Sequence, residues 1–165
     1  MELSYEAHLQ IVNFIVKGSE FRSKFLFKEA LGIYYSGLKL IPELKADYDE
    51  NTWLETEIGN CYFEFQDFHK AVLHYQSALI SEDGIDDAFI WFKLGCSFYL
   101  LNDMDNAIVH LKQSFTLEGD EFFTDEDPKY LLVIGQHPIE KKINVFHLQE
   151  SNTINYQLPP DWKKN

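Results

Sequence analysis

The chain has 165 residues, 45% of them apolar and 16% aromatic, which suits one domain or one short repeat array with a real core and excludes a disordered segment. Fourteen Lys and Arg against 27 Asp and Glu give a net charge of −13, a surface that repels phosphate backbones and anionic membranes and favours basic partners. No apolar run approaches the roughly 18 residues of a membrane span, and Glu2 and Glu6 stand where a signal peptide needs positive charge, so the expected compartment is the cytoplasm.

In chain order, apolar residues recur at helical spacing over about 5–22 and 25–40, then 49–64 and 68–81, then 87–100 and 104–117. Each pair is split by a short polar break: Ser23–Lys24, Gln66–Asp67 and Asn102–Asp103. Asp67 and Asp103 stand where helix N-caps are needed. After Gly119 the pattern changes. Asp127–Pro128 predicts an N-cap with proline at the first helical position, opening a short helix to about Ile134. Leu131, Leu132 and Ile134 are expected to cover the open end of the last repeat. Residues 136–165 read as extended, with Ile143, Val145, Phe146, Leu148, Tyr156, Leu158 and Trp162 available to pack back on the repeats, either at their open end or in a groove.

The three helix pairs are copies of one pattern. With Gly18, Gly59 and Gly95 as anchors, Phe21, Tyr62 and Phe98 follow three residues later. Ala30, Ala71 and Ala107 follow after twelve residues, and Tyr34, Tyr75 and Leu111 after sixteen. Small residues at the anchor and alanine columns let two helix backbones approach, with Gly59 and Gly95 expected opposite Ala71 and Ala107. One hairpin cannot bury its whole apolar surface, so the units must stack.

These columns resemble the tetratricopeptide repeat family, in its small bacterial form with three repeats. The third unit carries Trp91, Leu94, Gly95 and Phe98, then Ala107 and Leu111; the second carries Ile58, Gly59 and Tyr62, then Ala71 and Tyr75; the first carries Gly18, Phe21, Ala30, Tyr34 and the closing Pro42. Lys17 departs from the pattern, and the closing proline is missing after the second and third units, where Asp83 and Gly119 stand. The resemblance implies an all-α solenoid of helix-turn-helix repeats at about 11–44, 52–85 and 88–121, within 1–121. A capping helix at 122–135 and an extended tail at 136–165 complete the expected organisation.

Catalytic motifs are missing from the sequence: there is no glycine-rich phosphate loop, no HExxH and no GxSxG. Cys61 and Cys96 lack the neighbours of a zinc site and read as packed, reduced thiols. Asp103 with Asp105 and Asp125 with Asp127 lack the glycine and distal glutamate of a calcium loop. His74 and His110 share one column, where a metal or acid–base pair competes with simple packing; no third ligand or nucleophile joins them, so packing is expected. No catalytic residue, metal or cofactor is expected.

In this family the first helix of each repeat lines a concave surface that holds a partner segment. The resemblance therefore turns four columns toward that surface: Val12, Trp53 and Phe89; Ile15, Thr56 and Phe92; Ser19, Asn60 and Cys96; Arg22, Phe63 and Tyr99. Val12, Ile15, Trp53, Asn60, Phe63, Phe89, Phe92 and Tyr99 are the candidate partner-binding residues, because aromatic side chains on a concave face anchor partners well. A subset of the family grips the C-terminal carboxylate of heat-shock chaperones with cations and asparagines. Here the matching positions are Ile15, Ser19, Glu57, Phe89 and Lys93, and Glu57 would repel a carboxylate. The expected partner is thus an apolar or basic protein segment, with neither nucleic acid nor membrane involved. Two roles follow: a non-enzymatic adaptor or chaperone-type module, or an immunity-type inhibitor that masks a toxin or other basic enzyme.

Overall fold

The computed structural model describes residues 3–42, 48–119, 121–123 and 125–135. Those residues form helices α1 (Tyr5–Ser23), α2 (Phe27–Leu38), α3 (Asp49–Glu64), α4 (Phe68–Ala78), α5 (Glu82–Ile85), α6 (Ala88–Leu100), α7 (Met104–Glu118) and α8 (Pro128–Gly135), with a 3-10 turn at Glu121–Phe123. The fold is an all-α stack of helix-turn-helix units: α1 pairs with α2, α3 with α4 and α6 with α7, while α2–α3 and α4–α6 contacts join successive units. The extended segment expected at 136–165 lies outside the described residues.

Capping explains the helix starts. Ser4, Asp67, Asp87 and Asp103 each accept a hydrogen bond from a backbone N–H in the first turn of the helix that follows. Asp127 does the same at α8, taking the Lys129 N–H at 3.0 Å. The one-turn α5 was not foreseen; it receives the Trp91 indole, whose Nε1 donates to the Ile85 carbonyl at 2.7 Å and so lets the ring be buried.

The hairpin turns share one device. Phe25, Gln66 and Asn102, each seven residues after its unit's glycine, adopt φ of 58°, 64° and 60°. This left-handed conformation suits asparagine and costs a bulky residue about 1–2 kcal/mol. Phe25 recovers little of that cost, since its ring is 77% exposed.

The glycine anchors mark close contacts between paired helices, but their opposite numbers are not the alanines. A Cβ on Gly18 would lie 2.2 Å from the Tyr34 ring, on Gly59 2.7 Å from the Tyr75 ring, and on Gly95 2.7 Å from the Leu111 side chain. Ala30, Ala71 and Ala107 are fully buried one turn earlier on the second helices. The difference arises because side chains of a helix lean toward its N-terminus, so a residue covers the turn before its own Cα.

The third repeat is closed by the 3-10 turn and α8. Phe92, Cys96, Leu111, Phe123, Tyr130, Val133 and Ile134 form a second buried cluster there. The cap uses a different face of α8 than expected: Ile134 is buried, but Leu131 and Leu132 remain 39% and 63% exposed. Tyr130 and Val133 are its other inward residues.

Two substitutions test this account. Gly95→Leu places its side chain against the Leu111 backbone nitrogen, only 2.9 Å from the would-be Cβ, and should cost about 3 kcal/mol or more by denaturant titration. Phe25→Asn keeps the turn and removes the strained aromatic; it should raise stability by about 1 kcal/mol and increase the melting temperature.

Candidate functional site

The concave face between the first helices holds a groove of about 450 Å³ lined by Arg22, Thr56, Glu57, Asn60, Phe63, Glu64, Phe89 and Lys93. Its floor is built from the same contacts that hold the hairpins together. Because Gly18 and Gly59 have no side chain, the rings of Tyr34 and Tyr75 pass across α1 and α3, and their hydroxyls reach the groove side. Tyr75 donates to Asn60 Oδ1 at 2.8 Å. Tyr34 donates to Glu57 Oε2 at 3.1 Å and lies 3.2 Å from Ser19 Oγ. In the third unit Leu111 replaces the tyrosine and Cys96 replaces the polar partner, so this end of the floor is apolar.

Arg22 is the electrostatic centre of the groove. Its guanidinium lies 3.2 Å from Glu57 and 2.6 Å from Glu64, joining the first repeat to the second. Burial opposes the charge, and the two carboxylates outweigh it, so the arginine pKa is raised. The carboxylates in this groove are therefore already engaged. Groups left for a partner are mainly donors and rings. Arg22 Nε and Thr56 Oγ1 have no hydrogen-bond partner among the described residues, but both atoms are buried and are not presented to a partner. Asn60 is buried, and among the described residues its amide nitrogen makes no hydrogen bond. Lys93 sits over the rings of Phe63 and Phe89, 4.9 and 5.4 Å from their centroids.

Of the eight candidate residues, Asn60, Phe63 and Phe89 line the groove. Ile15 is half-buried against the main core, Val12 is half-buried, and Trp53 is 41% exposed and packed edge-on to His8; neither Val12 nor Trp53 lines the groove. Phe92 must be corrected: it is buried under the cap, ringed by Phe122, Phe123 and Tyr130 at 5.2–5.5 Å. Tyr99 likewise packs on Tyr130 beneath Lys129 rather than lining the groove. Both positions lie where the segment after α7 folds over the last repeat. Glu64 and the pairing of Arg22 were missed. The sequence did carry a signal for the tyrosine hydroxyl contacts: a polar residue follows the glycine in the two units that have tyrosine sixteen residues on, and cysteine follows it in the unit that has leucine.

Elsewhere the titratable groups serve packing. His74 Nδ1 lies 2.6 Å from the fully buried Glu55 carboxylate, its Nε2 lies 3.0 Å from the Tyr35 hydroxyl, and its ring stacks on Tyr62. His110 donates from Nδ1 to the Asn106 carbonyl at 2.7 Å, and burial, which disfavours the charged ring, lowers its pKa. Burial pushes the thiols of Cys61 and Cys96 up to about 12, far from the reactive range. Among the described residues no group of three or more His, Cys, Asp or Glu side chains is placed to hold a metal ion, and no helix is long and apolar enough to cross a membrane.

The stacked hairpins and their concave groove define a helical-repeat fold of tetratricopeptide type. The Hsp90 co-chaperone Cns1 from Saccharomyces cerevisiae shares that fold, with a TM-score of 0.60 and 21% sequence identity over 79% of this chain and 39% of that one. This chain thus spans about two-fifths of the length of that protein chain. No protein-family model matches the sequence, and no curated protein matches it.

The charge network is open to test. Arg22→Met leaves Glu57 and Glu64 facing each other without a cation and should destabilise the protein by about 1–3 kcal/mol. Adding Glu57→Gln should restore part of that loss, and a double-mutant cycle followed by thermal unfolding measures the coupling.

Proposed function

We propose that this protein is a non-enzymatic interaction module that holds an extended segment of a partner protein in its concave groove, in the manner of an adaptor or chaperone. The observation that carries the reading is the groove between the repeats, in which Phe63 and Phe89 supply apolar anchors and the Asn60 amide nitrogen makes no hydrogen bond among the described residues. Such a site combines area for affinity with donors for a peptide backbone. Inert thiols and a neutral, packed His110 support binding over catalysis.

The likeness to an Hsp90 co-chaperone supports a protein partner through the fold. It does not carry over the chaperone tail as ligand: Ile15 and Phe89 stand at positions where carboxylate-gripping relatives have other chemistry, and Glu57 is fixed in the groove by Arg22. An apolar segment fits Phe63 and Phe89. The net charge of −13 favours a partner that is basic around that segment.

A second reading, an inhibitor that masks a toxin or other basic enzyme, draws support from the net charge of −13, which speeds association with a basic protein. The partner is sought by affinity capture from the native cell with the intact chain, and binding is then measured by surface plasmon resonance. Phe89→Ser should weaken a groove-bound partner about tenfold or more with little change in melting temperature. If salt slows association strongly while Phe89→Ser leaves affinity unchanged, the inhibitor reading, using the acidic outer surface, replaces the groove reading.

A further inference from the structure

Of the two places where residues 136–165 are expected to pack, the fold already closes one. The open end of the third repeat is covered by Phe123, Tyr130, Val133 and Ile134, which form a buried cluster with Phe92 and Leu111. The groove remains, with Phe63 and Phe89 in its wall.

We propose that residues 141–148 of this same chain occupy the groove in the free protein, so that a partner must displace them. The proposal rests on the reading of the groove as a peptide site. Three observations select this occupant.

First, the segment has the chemistry the groove favours. Lys141 and Lys142 lead directly into Ile143, Val145, Phe146 and Leu148. In an extended chain, positions 143 and 145 fall on one side and 146 and 148 on the other. Such a segment is apolar on both sides. A flat surface covers one of them, whereas the walls of a groove cover both.

Second, charge draws it in. Lys141, Lys142, Lys163 and Lys164 against Glu140, Glu150 and Asp161 give residues 136–165 a charge of +1, so the −13 of the whole chain leaves −14 on residues 1–135. The acidic body therefore attracts this segment at long range. Within the groove Arg22 already answers Glu57 and Glu64, so the hold at close range is apolar.

Third, the tether starts beside the groove. Helix α8 rests on α6 through Tyr130, whose ring lies 5.5 Å from that of Phe92. Lys93 Nζ lies 6.0 Å from the Phe92 centroid and 5.4 Å from that of Phe89. Two side chains thus separate α8 from the groove. Residues 136–145 span up to about 33 Å when extended, well beyond that gap. A short tether gives a local concentration on the order of millimolar, so even a weak contact stays formed.

A groove filled by its own chain lowers the apparent affinity for a partner in proportion to the fraction of molecules that are open. It also keeps Phe63 and Phe89 out of water until a partner arrives.

The test uses the full chain. With a benzophenone-bearing phenylalanine in place of Phe146, irradiation in dilute solution should join position 146, within one molecule, to peptides of α3 or α6 that contain Phe63 or Phe89, as read by mass spectrometry. Phe146→Asp should release the groove with no change in helical circular dichroism. Lys93 should then be reductively methylated about threefold faster or more than in the parent, while the exposed Lys28 on α2 reacts at the same rate in both.

Crosslinks to other elements only, between molecules only, or none at all overturn the proposal. So does a Lys93 rate that is the same in Phe146→Asp and in the parent. Each of these results leaves the groove reading intact, because that reading is decided by whether Phe89→Ser weakens a captured partner.

Discussion

The contact between a glycine on the first helix of a hairpin and a large side chain on the second governs this structure. Gly18 against Tyr34, Gly59 against Tyr75 and Gly95 against Leu111 leave no space for even one methyl group. Interiors at this density tolerate added volume poorly, so each contact fixes the distance and register of its hairpin. Fixed hairpins in turn set the stacking, because each unit hides its remaining apolar surface only against the next.

The same contact links core to surface. A tyrosine whose ring fills the hairpin interior carries its hydroxyl through to the concave side, where Tyr34 reaches Ser19 and Glu57 and Tyr75 reaches Asn60. Buried polar atoms need partners, and these pairs satisfy each other. In the third unit the chain exchanges both members at once, Leu111 for tyrosine and Cys96 for the polar residue, so no hydroxyl is stranded. The groove therefore runs from a polar, charge-bridged wall at the first repeat to an apolar wall at the third. Arg22 and Asn60 belong to its polar part and the Phe63, Phe89 and Lys93 cluster to its apolar part.

Charge in the groove differs from charge on the whole molecule. The chain is strongly acidic, yet Glu57 and Glu64 are held by Arg22, and Glu55 faces His74 away from the groove. Long-range steering follows net charge, whereas affinity at the groove follows the groups that remain unpaired. These two influences need not select the same part of a partner.

The hairpins were legible in the sequence because their causes are local and repeated. Helical spacing, aspartate caps at Asp67 and Asp103 and a glycine column recur in three units, and each copy supports the others. Asn60, Phe63 and Phe89 were legible for the same reason, since the columns of the first helices fix which residues face inward. Tertiary structure alone decided the rest. Phe92 and Tyr99 are covered because an irregular segment folds back over the last repeat, and no periodicity announces such a fold. Arg22 meets Glu64 of the next unit because of how the units are offset, a distance set by many packed side chains at once. Local propensity is written residue by residue along the chain; the pairing of side chains 42 positions apart exists only once the stack has formed.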